Sequence, residues 1–150
     1  MKDYKEFRFG SILFIITIPL QFFFIHLYRN SIDGDPEGMT SLTIGSGILI
    51  VILLLFYGMT TKVDDEKIVI SFGVGLIRKT IGINKIKTVS IVKNPWYYGW
   101  GIRLIPAGVL YNITGSDGIE LKFNNGKRVI RIGTKNPAQL RDEIIRRLSQ

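Results

Sequence analysis

The sequence predicts a two-helix membrane hairpin joined to a small α+β domain, an antiparallel barrel or sandwich of about seven strands capped by a C-terminal amphipathic helix. Three observations predict it. Two runs carry no charged residue, Phe9–Tyr28 with 20 residues and Met39–Thr61 with 23. From Lys62 onward apolar residues alternate, and turn signals recur at intervals of about 8–12 residues. The chain then finishes on a segment whose apolar residues fall at helical spacing.

The two uncharged runs span roughly 30 and 35 Å as helices, the thickness of a hydrocarbon core. Segments such as Ile48–Phe56 are apolar all round and offer no face to water. The first run is longer than a signal-peptide core and lacks a small-residue cleavage site, so it reads as an anchor. It contains Pro19, which membrane helices tolerate, Gln21, able to hydrogen-bond a neighbouring helix, and His26, near its outer end beside Tyr28 and Arg29. The second run opens on Ser41, Thr43, Gly45, Ser46 and Gly47. Ser41–Gly45 and Thr43–Gly47 are small-xxx-small spacings that let helices approach closely. Their partner is the first helix or a second copy.

Residues 62–150 hold 16 Lys/Arg against 7 Asp/Glu, a net +9 within an overall +8. The segment 30–38 carries Asp33, Asp35 and Glu37 without a basic residue, and residues 1–8 carry a net +1. Basic flanks stay on the cytoplasmic side. The expected layout is therefore a membrane hairpin over 1–61, with spans of about 9–28 and 39–61, an outer acidic loop, and a cytoplasmic domain over 62–150. Arg29 is the dissenting charge. The chain has no cysteine and one histidine. That removes thiol chemistry, disulfides and Cys/His metal centres, and leaves no cofactor site to expect.

Within the domain, Asp64-Asp65-Glu66 reads as an acidic turn and Lys67–Phe72 as a strand with Ile68, Ile70 and Phe72 on one face. Gly73-Val74-Gly75 turns the chain into Leu76–Ile81. Strands are also expected over Lys85–Val92, Trp100–Ile105 and Val109–Thr114. Asn125-Gly126 is a type I′ hairpin pair. It sets Leu121 opposite Ile130, Ile119 opposite Ile132 and Glu120 opposite Arg131. Asn136 and Pro137 start the final helix. Its apolar stripe is Leu140, Ile144, Ile145 and Leu148, with Arg141, Glu143, Arg146 and Arg147 on the other face.

Three stretches then become informative together. They are Trp96-Tyr97-Tyr98-Gly99-Trp100-Gly101-Ile102-Arg103, Gly108-Val109-Leu110-Tyr111-Asn112-Ile113-Thr114-Gly115, and Ile132-Gly133-Thr134-Lys135-Asn136-Pro137. With the strand-and-helix order, residues 62–150 resemble the bacterial pleckstrin-homology-like domains, whose members often follow one or two membrane spans. The resemblance implies a non-enzymatic module at the cell membrane.

Two surfaces are candidates. The first is aromatic, Trp96, Tyr97, Tyr98 and Trp100 with Arg103, suited to a membrane interface or a peptide. The second is a basic set, Arg78, Lys79, Lys85, Lys87 and Lys93, suited to anionic headgroups or simply a consequence of positive-inside topology. The first hairpin lacks the Lys/Arg-x-Arg pattern of inositide-binding pleckstrin-homology domains, since Thr80 follows Lys79. Gly73-x-Gly75 is followed by a strand and reads as a turn, not a phosphate loop. The leading expectation is a binding or scaffold module with protein or anionic-lipid partners. Nucleic-acid binding, suggested by a pI near 9.8, is an alternative, and an enzyme using Asp64, Asp65, Glu66 or Asp117 a weaker one.

Overall fold

The computed structural model describes residues 4–30, 36–124, 126 and 128–149. Strand β1 (Tyr4–Phe9) leads into helices α1 (Ser11–Asn30) and α2 (Pro36–Phe56). Eight strands follow: β2 (Gly58–Val63), β3 (Lys67–Phe72), β4 (Ile77–Gly82), β5 (Ile86–Lys93), β6 (Gly101–Ile105), β7 (Gly108–Asn112), β8 (Asp117–Phe123) and β9 (Val129–Gly133). Helix α3 (Pro137–Leu148) ends the chain's regular structure.

Both α1 and α2 are long and apolar enough to cross a membrane, and their side chains are almost wholly unburied within the protein. They pack on each other. The Gln21 amide reaches Ser46 Oγ, the interhelical bond expected of Gln21. The Phe24 ring lies over Gly45, where a Cβ would stand 3.2 Å from it, whereas Gly47 faces open space. The Ser41 and Thr43 hydroxyls turn back to the carbonyls of Glu37 and Met39. Of the small-residue stripe, Gly45 and Ser46 therefore make the close approach.

The helices start and stop within two residues of strands, which moves the expected domain boundary. Tyr4–Phe9 and Gly58–Thr61, assigned from sequence to the 1–61 hairpin, belong to a sheet. That sheet runs β1-β2-β3-β4, all antiparallel, with Tyr4 opposite Val63 and Phe9 opposite Gly58. The hairpin is thus inserted between two neighbouring strands of one sheet. Gly10 and Tyr57 are the single-residue links, and Gly10 N–H donates to Tyr57 O at 2.8 Å.

The second sheet runs β5-β8-β9-β7-β6. The β8–β9 register matches the expected pairs, Ile119 with Ile132, Glu120 with Arg131 and Leu121 with Ile130. The Asn125 half of the proposed turn lies outside the described residues, as do Asp33 and Asp35 of the acidic loop. Of the two expected forms, barrel or sandwich, the closed barrel is not formed, since the strands fall into two separate sheets. The antiparallel expectation fails at one place, where β7 pairs with β9 in parallel. The described strands number nine against about seven, because β1 and the start of β2 were hidden beside the helices.

Ile68, Ile70 and Phe72 from the first sheet meet Ile119, Leu121 and Ile132 from the second, with Leu140 and Ile144 of α3 closing the core. Here too one expectation changes. Ile145 is exposed, and Arg147 takes a buried place on the inward stripe. Its guanidinium is bound by Glu143 and lies 3.4 Å from Asp65, so charge pairing permits its burial. Asn136 stands at the N-cap position without a side-chain cap, and Pro137 begins the helix.

Candidate functional site

The inward face of β1 ties the strand before the helices to residues from the far end of the sequence. On β1, alternate side chains turn inward: Tyr4, Glu6 and Arg8. Glu6 Oε2 accepts bonds from Tyr4 Oη at 2.9 Å and Thr134 Oγ1 at 2.5 Å, while Oε1 accepts from Lys135 N–H at 2.8 Å. Burial, with the Glu6 hydrogen bond added, raises the Tyr4 phenol above its ordinary value. Arg8 is 4% exposed. It donates to Asn112 Oδ1 at 3.3 Å and to the Thr114 carbonyl, and Asn112 in turn donates to Gly115 O at 2.9 Å. Burial lowers the Arg8 pKa, against the pull of Glu6 and Asp117. These contacts give the Gly133-Thr134 stretch a structural reason. A Cβ on Gly133 would stand 2.1 Å from Asn112 Oδ1.

The Gly73–Gly75 turn is the hairpin connection expected of it, and it abuts the last turn of α2. Val74 N–H donates to Leu54 O at 3.3 Å. A Cβ on Gly73, already at φ +50°, would fall 2.1 Å from that same oxygen. Only glycine fits this approach. Val74 and Leu76 are exposed beside it.

The aromatic stretch is anchored to the outer face of the second sheet. Asn94 is buried and its N–H donates to Ser116 O at 2.6 Å. Arg131 donates to Glu120 Oε2 at 2.9 Å, and its guanidinium carbon lies 6.0 Å from the centre of the Tyr98 ring. Tyr98 meets Tyr97 edge-on at 5.1 Å, and Tyr97 meets Trp96 edge-on at 6.2 Å. Trp96 is 85% exposed and Tyr97 67%. Gly99 and Gly101, both at positive φ, flank Trp100 and swing it toward α1. Arg103 Nε donates to Trp100 O at 2.8 Å. Trp100, Ile102 and Arg103 then border a cleft of about 390 Å³ whose far wall is Ile12, Leu13 and Ile16 of α1. The proximity of this stretch to α1 is a tertiary fact that no local sequence pattern carries.

The basic set is not one patch. Arg78 and Lys79 are adjacent on β4 and so point to opposite faces; Lys79 pairs with Ile70 on the inward face of an edge strand. Lys85 and Lys87 lie at one end of β5, and Lys93, opposite Asp117, at the other. Lys5 and Lys62, which sequence reasoning passed over, stand directly opposite each other on the outer face of the first sheet and border a shallow depression with Lys67 and Arg78. Among the described residues no three His, Cys, Asp or Glu side chains gather as a metal site would need. No family model, curated protein or solved structure matches the chain.

Proposed function

We propose that the chain is a membrane-anchored binding module without catalytic activity, a pleckstrin-homology-like domain held at the cytoplasmic face of the cell membrane for anionic lipid or protein partners. The observation that carries the reading is the junction. The two apolar helices enter and leave one sheet through single residues that hydrogen-bond to each other. A domain joined in this way has no linker about which to swing, so the same edge always meets the bilayer. Beside the helices stand exposed Val74, bonded to Leu54 of α2, and Trp100, which borders the cleft at α1, side chains suited to an interfacial layer. The cleft beside α1 is apolar but for Arg103, a lining suited to lipid contact.

The chain's lack of cysteine makes the topology directly measurable. Single replacements Asp33→Cys and Lys67→Cys are labelled with an impermeant maleimide in intact cells and after lysis. The reading requires Asp33→Cys to react in intact cells and Lys67→Cys only after lysis. Reaction of Lys67→Cys in intact cells, or release of the full chain by alkaline carbonate, removes it.

A further inference from the structure

We propose that the cleft between α1 and β6 holds one phospholipid of the surrounding leaflet, its acyl chain against α1 and its anionic headgroup on Arg103. The proposal rests on the membrane reading above and adds a site and a ligand class to it. Three features of the cleft converge. Its far wall is Ile12, Leu13 and Ile16, part of the uncharged run Phe9–Tyr28, so the cleft opens onto hydrocarbon wherever that run is embedded. Its volume, about 390 Å³, falls within the ~300–1,000 Å³ of small-molecule sites. Its border carries a single charge, Arg103. Nε of that side chain is committed to Trp100 O. Among the described residues no carboxylate lies within ion-pair distance of Arg103. A guanidinium so placed keeps its fork of terminal N–H groups for a phosphate diester whose charge no headgroup ammonium balances, as in phosphatidylglycerol and not in phosphatidylcholine. An acyl chain satisfies the isoleucines and a phosphate satisfies the arginine. A free phosphate ion satisfies only the second, so the ligand is a lipid of the membrane.

The chain offers its own reporter, because its two tryptophans are Trp96 and Trp100. In the full-length Trp96→Phe variant, reconstituted in vesicles, Trp100 is the sole indole. Its emission is followed with phosphatidylglycerol brominated high on the acyl chain, and separately with phosphatidylcholine brominated at the same position and mole fraction. The site predicts selective quenching by the anionic lipid, with an apparent preference of about tenfold, as expected of charged hydrogen bonds. Adding Arg103→Gln brings the two lipids to parity, and inorganic phosphate gives no relief. Equal quenching by both lipids before Arg103 is changed, or relief by inorganic phosphate, overturns the proposal. Flotation of the same vesicles at alkaline pH separates the two readings. A chain that floats without lipid preference keeps its anchorage and loses this site, and a chain that fails to float loses both.

Discussion

Arg8 and Arg103 both lie at the end of the β-domain nearest the helices, and they show how differently one residue type is used there. Arg8 is buried, and both terminal nitrogens are spent on Asn112 and Thr114, residues more than a hundred positions away. Arg103 is exposed and bonds its own neighbourhood through Trp100 O. The first side chain ties the strand before the helices to the strands far beyond them. The second stands at the border of an apolar cleft. A basic residue's role in this chain follows from its partners and depth, not from its distance in sequence to the apolar runs. Arg8, at the very edge of the first run, is the structural one.

If β1 is as much part of the domain as the contacts of Arg8 and Glu6 imply, the largest effect comes from cutting the chain. A fragment of residues 62–150 lacks β1 and four residues of β2, and leaves β3 as an unpaired edge with inward side chains uncovered. It is expected to be unfolded or aggregated. A chain in which a short Asn-Gly turn replaces residues 11–56, joining Gly10 to Tyr57, keeps the β1–β2 pairing, since those two residues already touch. It is expected to be soluble and cooperatively folded, as read by circular dichroism and hydrogen exchange. Equal folding of both chains would show that β1 contributes nothing.

Arg8→Met sharpens the comparison next. It retains much of the side-chain volume but strands Asn112 Oδ1 and the Thr114 carbonyl in a buried place. Unsatisfied buried acceptors cost about 1–3 kcal/mol each, so a loss of about 3 kcal/mol is expected in thermal unfolding of the full chain in detergent. A shift below about 0.5 kcal/mol, the range of ordinary surface changes, would place Arg8 with Arg103 as a surface residue.

Much of this architecture is legible in the sequence because it is local. The alternation of Ile68, Ile70 and Phe72, the Gly73–Gly75 turn and the β8–β9 register all depend on residues close in the chain, and all stand as expected. What was hidden is long-range. Strand β1 has only six residues and its partner lies beyond the whole helical pair, so no periodicity announces it. The inward place of Arg147 depends on Asp65 coming near from another element. The candidate surface divides in the same way. The aromatic stretch was visible as composition, but its seat beside α1 was not. The basic set was visible as charge, but strand alternation sends Arg78 and Lys79 to opposite faces.

A smaller effect separates paired from unpaired charge through pH. Hydrogen bonding and attraction from Arg147, with Arg146 adding to it, hold the Glu143 carboxyl below its ordinary value of 4.5 despite some desolvation. The folded state therefore binds this proton more weakly than the unfolded state does. The stabilisation is complete above pH 4.5 and is lost as pH falls toward and through the depressed folded value. Glu143→Gln removes the carboxylate, so its melting temperature is expected to fall less than the parent's as pH drops from about 6 to about 3. Parallel acid profiles in the two chains would mean that the Glu143–Arg147 pair contributes nothing to acid sensitivity.

The smallest effect on stability is expected at Arg103, and its smallness is what makes the contrast with Arg8 decisive. Arg103→Gln gives up one hydrogen bond to Trp100 O on an exposed edge strand. Water replaces it, so unfolding is expected to move by no more than about 0.5 kcal/mol. The same change is expected to abolish any preference for anionic over neutral lipid, whereas Arg8→Met, measured well below its lowered melting temperature, keeps that preference. A single pair of variants thus moves stability and lipid selection in opposite order. If Arg103→Gln instead unfolds the domain as Arg8→Met does, the bend around Trp100 is a structural joint, and the aromatic stretch belongs to the fold and not to its binding surface.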